Sequence, residues 1–182
     1  MYNFNTPSGD QLTVAIYVDD LLCTCKDEAQ LEWLASSLTD EYKELTVHRG
    51  GLHSYLGHTL DFESASGKVK LTMEGYINDI LRLYEVRGTA ATPALNNLFD
   101  IIPDAVVLGV EEQEAFHSCV AKLLYLAKRV RPYILTAVSF LATRVSVATV
   151  DDQAKLERVM KYLNATSEMG LVLEATKDIS VY

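Results

Sequence analysis

The chain has 182 residues, of which 49% are hydrophobic, and a formal net charge of −9 at pH 7. This length suits one large domain or two small ones with a real hydrophobic core. Three cysteines are too few for a disulfide framework and lack zinc-site spacing, so we expect reduced thiols. The polar amino terminus lacks a secretory leader, and the longest apolar run, 133–150, is too short for a membrane span. We therefore expect an intracellular protein that is not secreted.

The first predicted element is a β-hairpin over 13–25 with two acidic residues at its turn. Residues 13–18 and 21–25 are mostly β-branched, aromatic or small apolar, and only Asp19 and Asp20 separate them. Two adjacent carboxylates repel each other and are tolerated where water or a cation neutralises them. The pattern therefore fits either a magnesium site or ordinary turn chemistry, since Asp adopts the dihedral angles that tight turns need.

A helix and a second hairpin are predicted after this turn. Asp27 is an expected N-cap, and the apolar residues that follow it at helical spacing indicate an amphipathic helix of about four turns. Residues 45–48 are expected to form a short strand. Residues 55–62 and 68–72 are expected to form a hairpin around 64–67.

The rest of the chain is predicted to be helical. An amphipathic helix over 75–84 precedes a long irregular crossing over 88–109, which contains two of the four prolines. Three further helices are expected over 111–128, 132–148 and 151–164, and the apolar stripes of the last two should pack together. The predicted fold class is therefore α+β, with antiparallel hairpins plus a helix in 1–73 and a helical region in 74–182.

Charge is unevenly distributed along the chain. Residues 1–121 hold 7 Lys plus Arg against 19 Asp plus Glu, a net of −12, whereas residues 122–164 hold 8 against 3, a net of +5. A basic segment can follow a phosphate backbone without reading bases, although solvated helix faces would give the same pattern. The candidate phosphate contacts are Lys128, Arg129, Arg131, Lys155, Arg158 and Lys161.

The phrase Tyr17-Val18-Asp19-Asp20, followed by two leucines, resembles the tyrosine-x-aspartate-aspartate signature of reverse transcriptases. Seven further landmarks occur in the order seen in copia-type LTR retrotransposon polymerases. They are Tyr55-Leu56-Gly57, Lys70-Leu71-Thr72, Gly75-Tyr76-Ile77, Thr92-Pro93-Ala94-Leu95, Leu123-Leu124-Tyr125-Leu126, Arg131-Pro132 and the segment 158–163. The resemblance covers about 13–173 and corresponds to the carboxyl-terminal half of the polymerase domain within a Pol polyprotein.

This resemblance implies a fold and a chemistry. Residues 1–73 would form a partial polymerase palm carrying the hairpin, and 74–182 a thumb- or connection-like helical region. The implied activity is RNA-directed DNA polymerisation with two Mg²⁺ ions, in which Asp19 is a catalytic metal ligand and Asp20 assists it. Tyr17, Leu56 and Gly57 would lie in the primer-terminus region.

The resemblance also implies partners outside these residues. The family's polymerases use a third Asp from a strand upstream of the hairpin, a fingers region and a downstream RNase H of the same polyprotein. Their substrates are an RNA or DNA template-primer and deoxynucleotides, in a cytoplasmic particle or the nucleus, with no membrane partner. Two functions therefore stay open. One is a polymerase fragment that is active only when joined to its upstream half. The other is a non-catalytic retroelement remnant, or a co-opted module that binds nucleic acid or protein.

Overall fold

A computed structural model describes residues 1–63 and 67–174 of the chain. The described part is α+β, as predicted, with two antiparallel sheets and five α-helices. It divides into two compact units, Met1–Leu56 and Gly57–Tyr182. This division falls earlier in the chain than the predicted functional boundary between residues 73 and 74. In the described ranges, no helix is long and apolar enough to cross a membrane.

The strands and helices are numbered in chain order. The strands are β1 Tyr2–Asn5, β2 Gln11–Tyr17, β3 Asp20–Thr24, β4 Leu52–Tyr55, β5 His58–Glu63, β6 Lys68–Thr72 and β7 Leu171–Glu174. The helices are α1 Glu28–Tyr42, α2 Glu74–Leu83, α3 Val110–Arg129, α4 Leu135–Ala142 and α5 Val150–Ala165, with a short 3-10 turn at Pro132–Ile134.

The first unit is built on an antiparallel sheet in the order β1-β2-β3. The predicted cap of α1 is confirmed, because the Asp27 carboxylate accepts a hydrogen bond from the Ala29 N–H at 3.0 Å. Strand β1 was not predicted, although its four residues alternate between aromatic and polar side chains. It is short and fully exposed, and it forms by pairing with β2, with Tyr2 opposite Val14. The strand predicted over 45–48 does not form. Those four residues are exposed and extend no sheet ladder.

The second unit has a closed hydrophobic core between its helices. Strands β5, β6 and β7 pair antiparallel in that order, and β7 is a second strand that the helical prediction missed. The predicted packing of α4 on α5 is confirmed, since both helices contribute to one buried cluster. Its fully buried members include Ile77, Leu123, Ile134, Leu141 and Leu163, each 0% exposed. Helices α3 and α5 lie close to their predicted bounds.

Two predicted boundaries were wrong. The helix expected over 132–148 ends at Ala142, where the Thr143 hydroxyl donates to the Phe140 carbonyl at 2.7 Å and i→i−3 turns replace the α ladder. The hairpin strand expected over 55–62 is interrupted, because Leu56 and Gly57 have positive φ angles of 51° and 76°. Those dihedral angles are typical of a tight turn, so Tyr55 belongs to β4 and His58 begins β5. The expected turn residues 64–66 lie outside the described ranges.

Candidate functional site

The acidic hairpin predicted over 13–25 is confirmed as an antiparallel pair of β2 and β3. Its loop lies one residue earlier than predicted. Tyr17 pairs with Asp20, so Val18 and Asp19 form the two-residue turn and Asp20 begins β3. The observed register pairs five residues of each strand, from Thr13 opposite Thr24 to Tyr17 opposite Asp20. Val18 has a φ of +54°, a conformation that is costly for a β-branched residue.

The two carboxylates of this hairpin are open to solvent. Asp19 and Asp20 are both exposed, and in the described part of the chain no Lys, Arg or His forms an ion pair with either. Oxygen ligands suit a hard cation such as Mg²⁺, which takes six of them in near-octahedral geometry. Over residues 1–63 and 67–174, no group of three or more His, Cys, Asp or Glu side chains could hold a metal. Asp19 and Asp20 thus offer two neighbouring carboxylates at the hairpin turn and are not part of a larger group of such side chains in the described residues.

The residues predicted near a primer terminus lie in both units. Tyr17 ends β2 in the first unit, with 57% of its surface exposed. Leu56 and Gly57 form the turn between β4 and β5, where the first unit ends and the second begins. Within the second unit, Gly57 lines a recess of about 380 Å³ together with residues of α2 and α3. Gly57, which was predicted to lie in the primer-terminus region, thus lines the same recess as Tyr76 and Tyr125.

Arg131 is not on the surface that we predicted for it. It is 0% exposed, and its guanidinium donates to the Thr166 carbonyl at 2.6 Å and the Met169 carbonyl at 3.3 Å. Burial lowers its pKa, while the nearby Tyr162 opposes that shift. Its hydrogen bonds join the end of α3 to the segment after α5, which is a structural role. This burial was not predictable from the sequence, because Arg is almost never fully buried unless it is paired.

The predicted cations of α5 contact the protein itself. Lys155 donates to the Asp100 carbonyl at 2.6 Å and forms an ion pair with Asp151 at 2.7 Å, and its side chain is 10% exposed. Arg158 donates to the Thr92 hydroxyl at 3.0 Å. These two side chains therefore bind the irregular crossing to α5.

The other predicted cations are more accessible. Lys161 forms an exposed ion pair with Glu157 at 3.1 Å. Lys128 and Arg129, in the last turn of α3, are both exposed. Arg129 also lies over the ring of Tyr125, with 4.4 Å between its Cζ atom and the ring centroid. The six predicted cations thus do not form one surface, and phosphate contact remains a proposal for Lys128, Arg129 and Lys161.

The known proteins that are similar to this chain include two retrotransposon proteins. The chain is 26% identical over 172 residues to a transposon Ty5-1 protein of Saccharomyces cerevisiae, covering 92% of this chain and 54% of that protein. It is 25% identical over 179 residues to the retrovirus-related Pol polyprotein from transposon RE2 of Arabidopsis thaliana, covering 92% of this chain and 11% of that polyprotein. These similarities support a retrotransposon origin. The chain thus spans about half the length of the yeast relative and about a ninth of the plant polyprotein.

Other comparisons add no family. No protein-family model matches the chain, and no solved structure matches it. The two relatives therefore support a retrotransposon origin, and the described part of the chain is α+β.

Proposed function

We propose that this chain is part of an RNA-directed DNA polymerase of a copia-type retrotransposon. In this proposal the first unit contributes a partial palm, and the helices of the second unit contribute a thumb- or connection-like region. The observation that carries the proposal is the β2–β3 hairpin, which holds Asp19 and Asp20 at an exposed tip free of basic partners within the described residues. The ordered landmarks and the retrotransposon relatives support it.

The donor set of the hairpin fits the implied metal chemistry in part. Asp19 would hold Mg²⁺ and Asp20 would assist it. When bound, Mg²⁺ supplies charge stabilisation for the attacking and leaving oxygens of an in-line nucleotidyl transfer. Tyr17, next to the turn and largely exposed, would pack beside the primer end. Two carboxylates cannot complete an octahedral shell by themselves, so the proposal requires further ligands from substrate, water and another segment.

A second candidate is a non-catalytic remnant that binds nucleic acid or protein. Two observations favour it: the described residues group no third metal ligand near the hairpin, and α5 uses Lys155 and Arg158 for internal contacts. When an upstream segment supplies further metal ligands, the first candidate predicts primer extension and the second predicts none.

Primer extension tests the proposed polymerase. We expect the isolated chain to extend no primer. A chimera that joins the upstream polymerase region of a copia-type element to this chain should show magnesium-dependent extension, because the third ligand and the nucleotide pocket are then present. Asp19→Asn should abolish that activity, since it removes the charge while it keeps the size and hydrogen bonding of the side chain.

The matched control is Asp40→Asn, which removes another exposed acid, on α1 of the same unit. It should leave extension unchanged. Extension that survives Asp19→Asn would place the chemistry elsewhere. An inactive chimera, folded and able to bind template-primer, would favour the non-catalytic candidate.

A further inference from the structure

The second unit contains a recess that the proposed hairpin chemistry does not use. It has a volume of about 380 Å³ and is lined by Gly57, Met73, Tyr76, Asp79 and Tyr125. This volume lies within the range of small-molecule sites and is sufficient for one planar heterocycle. Two tyrosines on neighbouring helices provide most of its aromatic surface.

The aromatic side chains of the recess are held in place. The ring centroids of Tyr76 and Tyr125 are 5.5 Å apart, and the ring planes are tilted by 59°. The Tyr76 hydroxyl donates to the Lys122 carbonyl at 3.5 Å, and burial raises the pKa of Tyr76, so its hydroxyl remains a neutral donor. Tyr125 keeps 39% of its surface exposed. Fixed aromatic rings of this kind lose little side-chain entropy when a ligand stacks on them.

Positive charge lies beside these rings. Lys122, Tyr125 and Arg129 follow one another at helical spacing on α3, so they share one face of that helix. The Cζ atom of Arg129 is 4.4 Å from the Tyr125 ring centroid. The acidic residue of the recess, Asp79, is already paired with Arg82 at 2.7 Å. Helix α3 therefore carries two cations on the same face as the Tyr125 ring that lines the recess.

We propose that this recess binds an unpaired base of single-stranded nucleic acid, stacked on the part of the Tyr125 ring that lines the recess and not on the face that Arg129 covers, with the flanking phosphates against Arg129 and Lys122. Every base has a π face, so such a site tolerates any sequence. An aromatic side chain of a peptide would fill the recess but would bring no anion for the two cations. The proposal deepens the proposed function by naming a nucleic-acid contact in the second unit, and it requires neither Asp19 nor a metal.

Binding of two matched oligonucleotides tests this proposal. One is a labelled short oligothymidylate, and the other has the same length and phosphates but abasic sugars. Both are titrated with the full chain in EDTA at low salt and followed by fluorescence anisotropy. We expect the base-bearing oligonucleotide to bind more tightly. Tyr125→Leu should weaken its binding at least about fivefold and leave the abasic affinity unchanged, whereas Tyr125→Phe should keep the preference.

Two matched controls separate stacking from charge. Tyr133→Leu removes a tyrosine that is 46% exposed and lies outside the recess, and it should keep the preference for bases. Arg129→Gln should weaken both oligonucleotides more than Arg87→Gln does, although the two changes remove the same charge. Circular dichroism verifies that each variant is folded.

Equal affinities of the wild-type chain for the two oligonucleotides would overturn the proposal. So would a preference for bases that survives Tyr125→Leu. Because the titration contains no free metal and leaves the hairpin intact, either result is independent of primer extension by the chimera. Conversely, a chimera that fails to extend a primer would not alter the preference for bases.

Discussion

The two compact units differ in how they bury their apolar residues. In the second unit, apolar residues from α2, α3, α4 and α5 form one buried cluster. In residues 1–56, all of which the structure describes, Leu12 is the only buried apolar residue, and α1 buries none. Large apolar side chains of this unit stay exposed, among them Trp33 at 55% and Ile16 at 48%. The unit that carries the candidate metal ligands therefore has the smaller hydrophobic core.

This difference predicts unequal stability. Burial of apolar surface is the main favourable term in folding, at about 25 cal/mol per Å². The second unit gains most of that term, and the first unit relies on strand pairing and one capped helix. We therefore expect the hairpin unit to unfold at lower denaturant concentration than the helical unit.

Leucine truncation in each unit sharpens this comparison and gives the largest expected effect. Leu123→Ala, at a position that is 0% exposed, should cost about 2–5 kcal/mol of unfolding free energy because it leaves a cavity in the core. Leu34→Ala, on the half-buried face of α1, should cost less than about 1 kcal/mol.

Each unit has its own probe for this unfolding measurement. Trp33, the single tryptophan, reports on the first unit by fluorescence, and far-ultraviolet circular dichroism reports mainly on the second. Equal costs for the two substitutions, or one coincident transition for both probes, would contradict the comparison.

Alkaline pH should lower the unfolding free energy of the second unit by a smaller amount, because a thiol is buried in its core. Burial raises the pKa of the Cys119 thiol from its ordinary 9.0 to about 12. Below pH 9 the thiol is protonated in both the folded and the unfolded chain, so its contribution is fully present. As the pH rises above 9, the unfolded chain releases this proton first. Stability then falls by at most about 1.4 kcal/mol per pH unit.

Denaturant unfolding at a series of pH values measures this loss. Cys119→Ala should lower stability by a constant amount up to pH 8.5 and then show a shallower decline than the wild type. Burial also raises the pKa of Tyr76 and Tyr84, so part of the alkaline decline should remain in the variant. Parallel curves for the two proteins across pH 9 to 10.5 would show that the thiol ionises equally in both states.

Local sequence signals predicted much of this fold. The hairpin of β2 and β3, the Asp27 cap and the helices α3 and α5 follow from alternation, capping residues and helical periodicity. The signals failed where tertiary contacts decide the outcome. The alternation in β1 covers only four residues, which is too short to predict a strand without the edge that β2 offers. Helix α4 ends early because the Thr143 hydroxyl and successive turns satisfy its last carbonyls.

The candidate sites were also predictable only in part from local sequence signals. The acidic tip was predictable, since a two-residue loop between two strands fixes where Asp19 lies to within one residue. The contacts of the predicted cations were not predictable. Helical spacing shows that Lys155 and Arg158 share a flank, but only the folded chain shows that the crossing covers it. The recess between α2 and α3 depends on their packing, although the spacing of Tyr125 and Arg129 gave a partial signal.

The proposed role of Asp19 and Asp20 requires that the exposed tip of the hairpin bind a divalent cation. It is tested most directly by titrating the chain with Mn²⁺, a paramagnetic substitute for Mg²⁺, and following backbone amide signals by NMR. Signals of residues 18–21 should broaden at lower Mn²⁺ concentration than those around the exposed pair Asp40 and Glu41 on α1. That pair is also exposed, so it controls for non-specific attraction of the ion to neighbouring carboxylates. Asp19→Asn should remove the selective broadening. Equal broadening at both acidic pairs, or selective broadening that persists in Asp19→Asn, would contradict the proposed role.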